Sequence, residues 1–175
     1  MESLATAILD QTGTMFGYAE GILKDVTPEL FARKPEGKNG LINTNHPAFC
    51  FGHLAIYPAR ICQLAGIEDA GIAAPAGFDE LFEAGKDCQD DPDGAIYPAM
   101  GVVTAAFFDG YKTAIAKLGE LSDAHLAAHH GLDSEFGKRF NSRAAVANFM
   151  LGPHTFMHIG QLSAWRRCMG LGPVF

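Results

Sequence analysis

The sequence predicts an all-α protein, a four-helix bundle with one long crossover loop. Four segments carry apolar residues at steps of three and four, and no run shows convincing strand alternation. The four helices are joined by two shorter connections and one long one, the pattern of a bundle with a crossover. The first helix is marked by Leu4, Ile8, Met15, Ala19, Ile22 and Val26, all on one face. A glycine- and lysine-containing stretch over 35–45 follows. The second helix starts at Asn45-His46-Pro47, an Asn cap with proline in the first turn, and runs to about Gly66 with Phe49, His53, Ile56 and Leu64 along it. Residues 66–98 are rich in Gly, Pro and Asp apart from a helical turn at 78–84, and read as the crossover loop. The third helix spans about 98–121, with Met100, Val103, Phe107, Tyr111, Ala114, Leu118 and Leu121 on one face. After a short piece capped by Ser122, the fourth helix runs from about Ser142 to Met169 and is stopped by Gly170, Gly172 and Pro173. Pro58 and Pro153 fall inside the second and fourth helices, where each removes a backbone hydrogen bond and kinks its helix.

Composition sets the class. At 175 residues, with 48% apolar and 19% charged side chains, the chain is expected to form one domain, 1–175, with a real core. The net charge of −7 and scattered basic residues argue against nucleic acid or an anionic membrane as partner. The uncharged stretch that could tempt a membrane reading, 98–108, is too short for a span. The start, Met1-Glu2-Ser3-Leu4, lacks the basic region of a signal peptide, so the expected location is cytoplasmic. Cys50, Cys62, Cys88 and Cys168 form no C-x-x-C pair and are read as free thiols.

The sharpest chemical feature is His154-Thr155-Phe156-Met157-His158. Residues four apart on a helix share a face, so the two imidazoles can share one metal ion. The stripe runs from Met150 through Gln161 to Trp165, which directs the pair inward along an apolar wall. His53 is the leading third ligand, and three histidines with an open fourth position is the pattern of catalytic rather than structural zinc. His46, beside the Asn45 cap, reads as a capping or surface residue. His125 and His129, with His130 adjacent, form a rival pair on a short, Gly-terminated segment and are expected to face solvent. Cys50 reads as a core cysteine. The absence of E-x-x-H excludes a di-iron carboxylate bundle, and haem between opposed histidines ranks below a single ion.

His53, within Phe51-Gly52-His53-Leu54, and His154-x-x-x-His158-x-Gly160-Gln161-Leu162 with Trp165-Arg166-Arg167 resemble the DinB-like (YfiT-like) superfamily. Helix order and spacing are compatible with that family over essentially the whole chain. The resemblance implies a four-helix bundle with an up-down-down-up course and a divalent ion held by three histidines that map onto His53, His154 and His158. Members with assigned activities include mycothiol-dependent maleylpyruvate isomerase and bacillithiol transferases. One departure is that Phe49 and Phe51 stand where many members carry a tryptophan before the histidine of helix two, which alters the pocket.

The functional expectation is therefore a metal-dependent enzyme, a thiol-dependent S-transferase or isomerase acting on a small electrophile. The expected cofactors are a divalent ion, zinc or nickel first with iron or manganese as alternatives, and a low-molecular-weight thiol. A metal-dependent hydrolase and a non-catalytic, stress-associated metal- or ligand-binding bundle are the alternatives. No Glu or Asp at helical spacing marks a general base, and Gln161 and Arg167 read as supporting or surface residues. The apolar run Val102-Val103-Thr104-Ala105-Ala106-Phe107-Phe108 cannot all face one core, which leads to the expectation of a homodimer.

Overall fold

The computed structural model describes residues 3–174, and the chain is mostly helical. The expected first helix is two, α1 (Leu4–Leu9) and α2 (Thr12–Leu23). At the break, the Thr12 hydroxyl donates to the Leu9 carbonyl, and the Gln11 amide donates to the Ile8 carbonyl and to Asn148 of the fourth helix. These side chains satisfy carbonyls that a continuous helix would have bonded internally. The buried face is Ala5, Ile8, Met15, Ala19 and Ile22; Leu4 points outward instead. A short α3 (Pro28–Phe31) follows, then a two-residue hairpin, β1 (Glu36–Gly37) with β2 (Gly40–Leu41), pairing Glu36 with Leu41. Neither was marked by periodicity, since each spans only about one period of its pattern.

The second helix is also divided, into α4 (Pro47–Ala55) and α5 (Tyr57–Leu64). His46, not Asn45, is the cap: its Nδ1 accepts from the Phe49 N–H, and Nε2 donates to the Gln89 carbonyl at 2.7 Å. Both ring nitrogens are thereby used, in agreement with a capping role. Pro58 has no N–H for the Leu54 carbonyl; α4 closes with the Ile56 N–H on the His53 carbonyl, and proline falls in the first turn of α5, where it is tolerated.

The crossover contains α6 (Phe78–Phe82) and is firmly tied. Asp90 accepts from Arg33 and from the Lys34 N–H, while buried Asp91 accepts from the N–H groups of Ala95, Ile96 and Tyr97. Burial would raise the Asp91 carboxyl, but these backbone donors outweigh it and hold its pKa below the usual value.

The third helix, α7 (Met100–Gly119), buries Val103, Phe107, Tyr111, Ala114 and Leu118 as the periodicity predicts. Of the apolar run at its start, Phe108 is half-buried against Phe16, Phe51 and Phe107, and Val102 is exposed. Next comes α8 (Asp123–Ala127), capped by Ser122 as expected.

The fourth helix is α9 (Arg143–Phe149), a π turn (Met150–His154) and α10 (Thr155–Cys168). Pro153 leaves the Phe149 carbonyl without its helical donor, and the chain widens there into a π turn. Buried Thr155 donates its hydroxyl to the Met150 carbonyl and accepts from the Tyr111 hydroxyl at 3.1 Å, tying the turn to α7. Packing pairs α4 and α5 with α7, and α10 with α2 and α4. The buried apolar residues of all these helices form one continuous cluster. Among the described residues, no helix is long and apolar enough to cross a membrane.

Candidate metal centre

The three histidines singled out in the sequence converge. His53 comes from α4, His154 ends the π turn and His158 lies one turn into α10. Their ring centroids are 4.6 Å (His53 to His158), 4.9 Å (His154 to His158) and 5.6 Å (His53 to His154) apart, and one nitrogen from each lies within 4.8 Å of the others. This is the one group of three or more metal-binding side chains among the described residues. The rival histidines do other work. His125 contacts the Ala65 carbonyl and Arg143, and His130 bonds the Phe140 carbonyl and the Leu132 N–H. Both are half-buried rather than solvent-facing as the sequence suggested, and only His129 is exposed.

Hydrogen bonds set the tautomers. His53 Nδ1 lies 2.7 Å from the Phe82 carbonyl, which can only accept, so Nδ1 carries the hydrogen and Nε2 keeps a lone pair. His158 Nδ1 donates to Gln161 Oε1 at 3.2 Å and likewise frees its Nε2. Gln161 is fixed in turn by the Asn45 amide at 3.2 Å and the Cys50 thiol at 3.7 Å. Burial pushes that thiol well up in pKa, so it stays protonated and serves Gln161. His154 differs: its Nδ1 is buried with no partner. Two rings oriented by oxygen acceptors so that Nε2 is free, and a third whose Nδ1 is buried and unpartnered, fit a site built for an ion.

The electrostatics agree. Burial, aided by its two histidine neighbours, lowers the pKa of His154 to about 3. Burial and His53 lower His158 to about 4, against the Gln161 hydrogen bond; burial also lowers His53, against the Phe82 carbonyl. All three rings are neutral at pH 7, the form that binds metal. A stability prediction follows for the metal-free protein. In the unfolded chain each ring takes a proton below about pH 6.5. In the folded chain His154 and His158, with His46 also lowered to about 4 by burial, resist it. Stability is therefore full above pH 6.5 and falls as pH drops towards 4, before most carboxylates titrate. Urea midpoints measured from pH 7.5 to 4.5 are expected to decline across this window; a flat profile contradicts the assignment.

The sequence did not reveal three neighbours. Tyr57 places its ring 4.6 Å from His154 and 4.9 Å from His53, with the Arg60 guanidinium 5.4 Å from its centroid. Its position four residues after His53 was the available signal. Glu83 faces the same cavity of about 380 Å³ as the three histidines, and is paired with Arg60. The Phe82 carbonyl is main chain and carries no sequence signature, but Gly52 does. A Cβ there would sit 2.5 Å from the buried Phe82 ring, so glycine is what lets α6 come close enough for its carbonyl to reach His53. Gly52→Ala is expected to destabilise by about 1–3 kcal/mol through overpacking. Loss of the carbonyl that aims His53 is expected to weaken zinc binding roughly 10–100-fold. Zinc competition against a chromophoric chelator reads the second effect.

No protein-family model matches the chain, and no curated protein matches it. What the residues support on their own is a buried cluster of three neutral imidazoles able to hold one divalent ion.

Proposed function

We propose that the chain is a DinB-like, metal-dependent enzyme in which His53, His154 and His158 hold one divalent ion and a low-molecular-weight thiol is transferred to a small electrophile. The bundle reading is supported by α4 and α5 packing on α7 and by α10 packing on α2 and α4. The observation that carries the metal is the convergence of one nitrogen from each of His53, His154 and His158 within 4.8 Å, with Nε2 of His53 and of His158 left free. An ion held by His53, His154 and His158 would supply the positive charge that favours the thiolate form of a bound thiol.

The chain's own residues set the conditions. Phe82 and Gln161 hold two of the rings in one tautomer and orientation, so little reorganisation remains when a ligand arrives. Phe49 and Tyr57 close apolar walls around the histidines and limit water. In the transfer, sulfur forms a bond to the electrophilic carbon as the leaving group departs with the bonding pair, and the thiol proton passes to solvent.

Cobalt in place of the native ion tests this directly, since sulfur coordination gives a charge-transfer band that nitrogen and oxygen ligands do not. The expected result is a new band with bacillithiol, mycothiol or glutathione at millimolar concentration. A cobalt spectrum unchanged by all three overturns thiol transfer and leaves the hydrolase and the ligand-binding bundle.

A further inference from the structure

Beyond the histidine cluster, a second cavity of about 540 Å³ opens against α5, the 130–136 segment and the end of α9, within the range of small-molecule sites. Tyr57 and His154 line both this cavity and the one that holds the three histidines, so the two adjoin at those residues. Its walls are Leu64, Leu132, Phe136, Phe149 and Met150, with Phe136 and Phe149 in ring contact at 5.7 Å. Its charged and imidazole groups at the wall, Arg60 and His130, are already committed. His130 uses both nitrogens, on the Phe140 carbonyl and the Leu132 N–H. Arg60 is held by Asp79 at 2.6 Å and Glu83 at 3.3 Å. Gln63 stands exposed at the mouth. A buried polar atom without a partner belongs to His154, which also lines the histidine cavity.

From this distribution we infer that the site selects a neutral small molecule whose apolar body, aromatic or branched aliphatic, fills the Leu64, Leu132, Phe136, Phe149 and Met150 cavity while its reactive group lies at the Tyr57 and His154 end. The inference rests on the reading of the histidine cluster as the reacting centre and specifies the substrate class for it. A charged body would be desolvated there with no free partner, at a cost an apolar body does not meet. The opposite flank contrasts: a cavity of about 590 Å³ lined by Lys34, Asn45, Lys86, Asp87 and Gln161 offers polar groups throughout.

The test is calorimetric binding of 1-butanol, 1-hexanol, 1-octanol and octanoate to the metal-free and zinc-loaded protein. The affinity of the alcohols is expected to rise about fourfold for each added methylene until the cavity fills. Octanoate is expected to bind at least tenfold more weakly than 1-octanol. Two variants place the effect: Leu132→Trp fills the cavity, and Gln63→Trp closes its mouth from an exposed position. Each is expected to weaken 1-octanol at least tenfold with an unchanged circular dichroism spectrum. Affinity independent of chain length, tighter binding of octanoate, or undiminished binding in Gln63→Trp overturns the inference. Failure to take up zinc overturns the metal reading instead, while the chain-length dependence in the metal-free protein still decides the apolar cavity.

Discussion

His158→Ala is expected to bind zinc more than about a hundredfold more weakly than the parent protein, since loss of a mere supporting hydrogen bond to a ligand already costs 10–100-fold. The variant loses one of three nitrogens and also releases Gln161, whose oxygen the His158 Nδ1–H engages. The thermal consequence depends on metal. With free zinc at a thousand times the dissociation constant, the parent gains about 4 kcal/mol of stability by linkage, and the variant gains little. Without metal the order narrows or reverses, because the removed imidazole is one that burial disfavours in its charged form and that sits against two others. Melting curves of both proteins with zinc and with chelator give the four values required. Retention of one equivalent of zinc at unchanged affinity in His158→Ala would show that this residue is not a ligand.

Arg166→Met is expected to cost about 3–5 kcal/mol of folding stability, because buried carbonyls left unpaired each forfeit about 1–3 kcal/mol. The side chain is only 2% exposed, and among the described residues no carboxylate pairs with it. Its Nη1 donates to the Ile22 carbonyl at 2.8 Å and to the Lys24 carbonyl, and Nη2 donates to the Leu171 carbonyl at 3.2 Å. The guanidinium thus ends α2 by taking carbonyls that have no helical donor, at the pole of the helix that favours a cation. Methionine keeps much of the volume and none of the donors. Arg166→Lys keeps the charge, but a single ammonium cannot span the same three oxygens, so it is expected to recover only part of the loss. Urea unfolding of the three proteins measures this; a loss under about 1 kcal/mol for Arg166→Met would mean that water replaces the guanidinium at no great cost.

The sequence made the helical faces legible where one periodic signal governs the whole element. Val103, Phe107, Tyr111, Ala114 and Leu118 are buried because α7 is unbroken, and the reading needed nothing else. The three histidines were legible for a related reason: two share a helical face, and the third lies on the inward face of the other motif. What escaped was set by distant partners. The break at Gln11 depends on Asn148, 137 residues away, and the role of Gly52 depends on a phenyl ring thirty positions on. The exchange of Asn45 for His46 at the cap reflects Gln89, which holds the imidazole in place and leaves the asparagine amide to Gln161. Local preference allows either residue to cap; only the folded crossover decides between them.

The π turn between α9 and α10 fixes the rotational phase of everything that follows it. A five-residue turn carries one residue more than the α-helical count, and each residue advances a helix by about 100°. Excising Pro153, the exposed residue of the turn, would restore ordinary helical winding and lose no side chain that the core requires. Yet it would turn His158, Gln161 and Trp165 about a third of a revolution away from His53, Asn45 and the Arg33 carbonyl that receives the indole N–H. Insertions and deletions are usually absorbed in loops, but in this chain the segment least able to absorb one lies in the middle of a helix.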